Sequence, residues 1–566
     1  MSSKHTFISV AAVLLCAGVF LPLSSAKAQE SCAPQDEGEV LSNHRLLRQL
    51  ALDLLGRIPT MEEWEMLESG AGIDETLLPG MLASDEYFAQ VREHHRALLW
   101  GSLGNTDNVG SGSFLMSKIS RRETWRAPNL RRRYRGTFTI ECLDQPQPAD
   151  QYDVNGRPIP ITVVNGEAAR LMGCDPADGP SGSQPHQCRQ EGTVMIAPYW
   201  DPGNPVEVCA YDAQALALDS NGNACDLNNT NAWCGCGPNL RECMPSMTYE
   251  PQKLIRKALE EEPARIFENV IRDERPYMDA FTTNESYVNG RSAHYYRHQS
   301  GHSNPRAGGP ITFNPLMPTL PDLAFTDESW VRVERAEGNS GVLTTMAFLM
   351  RFASNRGRAN RFFSAFRCEP FVPPAEGLPE DTSENPNPNL RERVGCDSCH
   401  NRLEPLASHW GRWRQNGTHG FLDEDVLPTV APMSSCVACG GTAEDGSAQR
   451  NCAAFCNAYF VTGANSDAAM VAEWEGYPLA RAWLTHDETA NIETGPRGLI
   501  DDPDEIARVA SCTVRTVAQR LFGRDLTQEE SVVWVPTMAG SFAESDYNYT
   551  QLVRDIVATD TYRSVR

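Results

Sequence analysis

Val394-Gly395-Cys396-Asp397-Ser398-Cys399-His400 is the stretch on which the reading of this chain turns. Cys-x-x-Cys-His is the attachment signature of a c-type haem. The two thiols sit one helical turn apart, so both can add to vinyl groups on one porphyrin edge. The adjacent His400 then reaches the iron from the proximal side. The same residues admit a structural disulfide with a bystander histidine, and Cys-x-x-Cys alone also serves redox or zinc chemistry. Two features favour haem. One is an export signal upstream; the other is Leu403-Glu404-Pro405-Leu406, where a helix end and apolar cover are expected.

The signal begins with Lys4 and His5, continues through apolar residues 8–23, and offers Ala26-Lys27-Ala28 for cleavage after Ala28. No later stretch approaches the ~20 apolar residues needed to cross a bilayer, so an integral membrane protein is not expected. The chain should be periplasmic, at the cell surface or secreted. Its formal net charge is −24, and losing residues 1–28 removes Lys4 and Lys27 but no acid. That balance argues against nucleic acid or anionic membrane as a partner. It suits a basic redox partner protein, although a solvated acidic surface is the plainer explanation. Oligomeric state is not legible. Of 18 cysteines, setting aside Cys16 in the signal and the motif pair leaves an odd number. In an oxidising compartment most should be disulfides, with one left free or joined to another chain.

At 566 residues several domains are expected. Residues 29–130 read as a helical domain, in which Leu47, Leu50, Leu54 and Leu55 recur at helical spacing until Gly56-Arg57-Ile58-Pro59-Thr60. Thr60 and Glu63 form a capping-box pair for the next helix. Residues 131–247 carry Cys142, Cys174, Cys188, Cys209, Cys225, Cys234, Cys236 and Cys243 among Gly, Pro, Asn and Asp, with β-like runs at 161–164 and 192–196. This is a stapled, loop-rich insert. Asp219, Asn221 and Asn223 are spaced like a calcium loop, but Ala224 replaces the turn glycine and Thr230 the closing glutamate, which favours an Asx-rich turn.

Residues 248–366 read as a central helical domain, with helical patterning over 251–288 and 342–366. Residues 367–395, rich in proline and acid, form a linker into a haem module that extends to 460. Within that module Cys436, Cys439, Cys452 and Cys456 have spacing that suits zinc, but export favours two disulfides. Residues 461–566 close the chain with helices near 506–522 and 549–558, and with Thr527 placed to cap against Glu530. The fold class is therefore mainly α: helical domains with a small cytochrome c-like haem module and a disulfide-rich β/loop insert.

These segments together resemble one family, the large secreted proteins built from planctomycete-type cytochrome c and associated uncharacterised domains. Leu50-Ala-Leu-Asp-Leu-Leu-Gly56-Arg57-Ile58-Pro59-Thr60 resembles their N-terminal motif, and Phe281-Thr-Thr-Asn-Glu-Ser-Tyr287-Val-Asn289-Gly-Arg-Ser-Ala-His-Tyr295 their central one. Gly341-Val-Leu-Thr-Thr-Met-Ala-Phe348, with Arg361 to Cys368 and Pro373-Pro374, is similar to the run-in to the haem domain. Cys396-x-x-Cys399-His400 with Leu403-Glu404-Pro405-Leu406 and Gly411-Arg412-Trp413-Arg414 resembles the haem segment. Cys512 to Gly523-Arg524-Asp525-Leu526-Thr527, with Tyr562-Arg563, is similar to the C-terminal domain. The interval from Pro405 to Gly411 is shorter than the family's, and residues 436–456 form an extra insert. The resemblance implies covalent haem and export, and no substrate.

With His400 proximal, the sixth position on the iron decides the function. A thioether there favours electron transfer; an open position permits peroxide or oxygen chemistry. Met433, between prolines and the second cysteine group, is the nearest downstream methionine in sequence and is the expected ligand; otherwise it is core filler. His409 and His419 are alternatives, and Trp410 and Trp413 either wall the pocket or fill core. His294 and His298, four apart, suit a metal on a helix face or an ordinary polar face. No Gly-x-Ser-x-Gly, phosphate-binding glycine loop or His-Glu-x-x-His occurs. The expected function is single-haem electron transfer outside the cytoplasm. The alternatives are a haem enzyme, peroxidase-like or a redox partner in polymer breakdown, and a cell-surface binding or structural protein.

Overall fold

A computed structural model describes residues 40–103, 115–127, 141–150, 152–154, 156, 158, 191–215, 235–241, 243–246, 249–300, 320–372, 377–379, 381–382, 386–415, 421–422, 424–442 and 447–564. The leucine repeat folds as α1 (Asn43–Leu50), which buries Leu46, Leu47 and Leu50 and continues in a wider turn to Gly56. Gly56 has φ +70°, the left-handed conformation that ends a helix at little cost only for glycine. Thr60 then caps α2 (Met61–Glu68): the Glu63 amide donates to its hydroxyl, and its own amide donates to the Glu63 carboxylate. Next come α3 (Asp85–Leu99), α4 (Glu250–Arg272), α5 (Asn355–Phe366), α6 (Asp397–Ala407), α7 (Ala468–Trp474), α8 (His486–Thr494), α9 (Pro503–Phe522) and α10 (Tyr549–Val557). The protein is mainly α.

Helices from both ends and the middle of the chain share one hydrophobic cluster that runs from Leu46 to Tyr562. His95 of α3 stacks on Phe267 of α4 with ring centroids 4.0 Å apart, and both meet Tyr277, which in turn stacks on Tyr549 of α10. Such aromatic pairs contribute roughly 0.5–1.5 kcal/mol each beyond the area they bury. Near the two ends of the described chain, the Leu41 amide donates to the Arg563 carbonyl and the Tyr562 hydroxyl to Asp53. An amphipathic face on each segment finds its partner on the other two, which a reading segment by segment does not reveal.

The cysteine-rich region contributes a five-stranded sheet made of β1 (Leu115–Lys118), β2 (Trp125–Arg126), β3 (Thr193–Ile196), β4 (Val206–Cys209) and β5 (Met244–Pro245), in the order β3-β4-β2-β1-β5. The sheet draws in residues upstream of position 131, and Cys142–Cys209 and Cys236–Cys243 staple it. The expected strand at 161–164 and the calcium-like residues Asp219, Asn221 and Asn223 lie outside the described residues. Helical patterning expected through 288 gives way earlier: β6 (Glu285–Val288) pairs antiparallel with β7 (Val331–Glu334). There the Ser286 hydroxyl donates to the buried Glu262 carboxylate, a tertiary contact that overrides local propensity.

Residues 422–492 hold a second cluster built on Leu422, Leu427, Phe455, Tyr459, Phe460, Leu484 and Ile492, and its disulfides are Cys436–Cys456 and Cys439–Cys452. The four cysteines weighed as a zinc site are thus two disulfides. Among the described residues no helix is long and apolar enough to cross a membrane. Disulfides in this number are bonds of an oxidising, extracytoplasmic compartment. The signal segment and its cleavage after Ala28 lie outside the described residues.

Candidate functional site

Gly395 turns the chain into α6 at φ +79°; a Cβ there would lie 2.5 Å from the Pro379 carbonyl oxygen, so only glycine fits. Cys396 is the N-cap, and the amides of Cys399 and His400 both donate to its carbonyl. Asp397 sits in the first turn, where the helix dipole favours an acid. The helix passes through Pro405 and ends at Ala407, with Leu406 and Ala407 anchored in the main cluster. Both thiols and the imidazole are left partly exposed.

Every other described cysteine is bonded: Cys142–Cys209, Cys236–Cys243, Cys368–Cys512, Cys436–Cys456 and Cys439–Cys452. Among the described residues only Cys396 and Cys399 are free. Among the described cysteines the motif pair is thus the one left unbonded.

One turn beyond His400, Glu404 accepts a hydrogen bond from His400 Nδ1 at 2.5 Å, and Arg356 Nε, from the first turn of α5, donates to the same Glu404 oxygen at 2.7 Å. A carboxylate can only accept, so Nδ1 carries the proton and the Nε2 lone pair is available to a metal. His400 and Glu404 are only 20% and 21% exposed.

Beside this face of α6 opens a cavity of about 450 Å³, lined by Arg356, Leu390, Glu404, Met470, Leu479 and Trp483 together with Ala407, Ser408, Ala480 and Leu484. Two clamps hold its walls. The buried Arg358 donates to the carbonyls of Leu349, Phe352, Trp413 and Arg414 and to the Asn355 side chain, which fixes the start of α5. Burial lowers this guanidinium to about 9, so it stays charged at neutral pH. Opposite it, Arg391 makes two hydrogen bonds to Glu488 at 2.7 and 2.9 Å and a third to the Trp483 carbonyl at 2.9 Å. Burial pushes the Glu488 carboxyl up, but Arg391 and the Thr485 cap outweigh it and hold it below its usual range.

These residues fit a covalent haem. Two unbonded thiols stand one turn apart and the adjoining imidazole has its Nδ1 engaged by Glu404; of α6, Glu404 and Ala407 line the cavity, whereas Cys396, Cys399 and His400 do not. Of the apolar lining, Leu390, Met470, Leu479, Ala480 and Trp483 are all partly exposed, and α7, with the sequence Ala-Ala-Met-Val-Ala-Glu-Trp, has no fully buried residue.

The remaining candidates lie elsewhere. Met433 is partly buried against the second cluster, and its amide donates to the Gly476 carbonyl. His409 is buried, and its Nδ1–H donates to the Gly495 carbonyl at 2.7 Å. Trp410 and Trp413 are core: Trp410 donates to the Leu343 carbonyl and stacks on Phe348, and Trp413 packs on Phe421. The His294 ring is buried between Tyr199 and Phe325, and no metal-type group of three or more His, Cys, Asp or Glu occurs among the described residues. His419 and the His298 side chain lie outside the described residues. Sequence reasoning missed Met470 and the role of Glu404; only the second left a local sign, its position four residues after His400.

Fold and site together define a mainly α, disulfide-braced protein of the oxidising compartment with one Cys-x-x-Cys-His helix, its cysteines unbonded, beside a cavity of mixed polar and apolar lining. Compared with known proteins, the chain matches no family model, no curated protein and no solved structure.

Proposed function

We propose that this is an exported c-type haem protein that carries single electrons, built like the secreted proteins with planctomycete-type cytochrome c domains that its motifs resemble. One observation carries the reading: Cys396 and Cys399 are free in a chain whose other described cysteines are all disulfides, and they open the helix that carries His400. Cys396 and Cys399 would hold the porphyrin through thioethers, and His400 would offer Nε2 to its iron. Haem supplies a one-electron ferric/ferrous couple. The wall formed by Leu390, Met470, Leu479 and Trp483 would exclude water from one face. Met470, a thioether that lines the cavity, would be a second candidate beside Met433 to hold the iron, and a thioether bound there would favour electron transfer over peroxide chemistry. The partner is a redox protein, and the acidic surface suits a basic one.

The test is a haem stain on denatured protein produced with haem-attachment machinery. The wild type should keep the stain, and the double variant Cys396→Ala/Cys399→Ala should lose it. A colourless wild type from a competent host overturns the reading.

A further inference from the structure

We infer that Glu404, braced by Arg356, is a positioning residue that sets the donor strength of His400 and so biases the iron toward its ferric state. The inference rests on the haem reading and adds a tuning device to it. Nδ1 of His400 and Nε of Arg356 converge on one oxygen of Glu404, at 2.5 and 2.7 Å. The three side chains come from two helices, α6 and α5, and the α5 end is fixed by the Arg358 clamp and by the Asn355 amide, which donates to Gln415 at 2.9 Å. The carboxylate therefore cannot drift from the imidazole without breaking its bond to Arg356.

Two consequences follow from that geometry. First, the bond fixes the tautomer and the rotation of the ring, leaving Nε2 as the only nitrogen free to bind iron. Second, a ligating histidine whose other N–H is held by a carboxylate is a more basic, stronger donor. A stronger donor stabilises ferric over ferrous iron and lowers the reduction potential. This opposes the thioether, which raises it. Arg356 limits the effect by sharing the carboxylate's charge. The couple should thus sit below that of a haem whose proximal histidine donates only to a backbone carbonyl, and the protein should suit delivery of electrons more than their capture.

The experiment compares full-length haem-loaded wild type with Glu404→Gln, which keeps the shape and removes the charge, and with Glu404→Ala, which removes the acceptor. The reduction potential should rise in both, by about a tenfold change in the ferric-to-ferrous ratio in Glu404→Ala, equivalent to about 59 mV for one electron. Removing any nearby negative charge raises a potential, so a second readout is needed. The ferric electron paramagnetic resonance g values report axial donor strength, and they should shift in both variants. They should stay unchanged in Glu369→Gln, which removes an acid near α6 that does not touch His400. Covalent haem retained with g values and potential both unmoved in Glu404→Ala overturns the role of Glu404 and leaves the haem reading intact. A wild type without covalent haem overturns both.

Discussion

Cys368 and Cys512 are joined across 144 residues of sequence, linking the residue that follows the C-cap of α5 to the middle of α9. The loop they close contains α6, the cavity walls other than residues 354–356, and the whole second cluster. Crosslinks over separations of this size are worth on the order of 4–5 kcal/mol when the unfolded chain is the state constrained. Replacing both cysteines by serine should therefore lower the melting temperature by several degrees. It should also loosen the cavity, because α5 supplies Ser354, Asn355 and Arg356 to its lining. Calorimetry on haem-free protein checks the first outcome; an unchanged melting temperature would show that packing of α5 on α9 suffices alone.

The division of the cysteines makes a separate prediction. In protein made without haem-attachment machinery, alkylation under non-reducing, denaturing conditions followed by peptide mapping should label Cys396 and Cys399. The peptides holding Cys436, Cys439, Cys452 and Cys456 should stay crosslinked as Cys436–Cys456 and Cys439–Cys452. Labelling of those four together with bound zinc would contradict the pairing.

What the sequence made legible was local. Thr60–Glu63 and Thr527–Glu530 each complete the reciprocal cap that their three-residue spacing implies. The Cys-x-x-Cys-His turn is likewise readable, because all of its parts lie on one helix. Pairing across space was not readable. Nothing near Cys368 points to Cys512, and nothing in 131–247 shows that β1 and β2 come from upstream of it. Met470 lies seventy residues after His400 on a short Ala-rich helix, capped by Asp467 and packed through Trp474 on Trp483, and it lines the cavity. Met433 is the methionine that sequence distance and flanking prolines select, and it packs on the second cluster.

Acid should weaken the fold through histidines that burial keeps neutral: His94 is held well below its ordinary value, as are the core pair His95 and His409. Burial holds His95 down to about 3 and His409 to about 4, against an ordinary 6.5. His95 Nδ1–H donates to the Val91 carbonyl at 2.8 Å and its Nε2 accepts from the Tyr277 hydroxyl at 3.2 Å, so the neutral ring is the one that fits. Above pH 6.5 both states of the chain bind no proton at these sites and nothing is lost. Below it the unfolded chain binds protons that the folded chain refuses, so stability falls as pH drops from 6.5 toward 4 and then 3. At about 1.4 kcal/mol per unit, these two sites together remove at most about 8 kcal/mol over that whole window, and about 1.4 kcal/mol each per unit at its start. Melting temperatures between about pH 6.5 and 5, above the ordinary carboxylate range, should fall in the wild type and fall less steeply in His95→Gln/His409→Gln, in which His94 alone of the three remains. An equal slope in that variant would assign the loss to other groups.

The identity of the sixth ligand gives the sharpest test of what the haem does. Helix α7 is seven residues long and buries nothing, yet five of its residues are apolar alanine, methionine or valine. A helix that short is marginal in water unless its apolar face is covered. Met470 lines the cavity on that face, whereas Met433 is already packed on the second cluster. Were Met470 the residue that holds the iron, haem would also cover α7, and the sulfur would be carried by a capped helix and not by a loop. Met470→Ala should therefore abolish the weak far-red sulfur-to-iron band of the oxidised protein, lower its reduction potential and let carbon monoxide bind the reduced form. Met433→Ala should leave the band in place and cost only packing, about 1–3 kcal/mol for a half-buried methionine. The reverse pattern would return the ligand to the loop at Met433. Ready carbon monoxide binding by the wild type would mean that neither sulfur reaches the iron, and the haem-enzyme reading would then replace electron transfer.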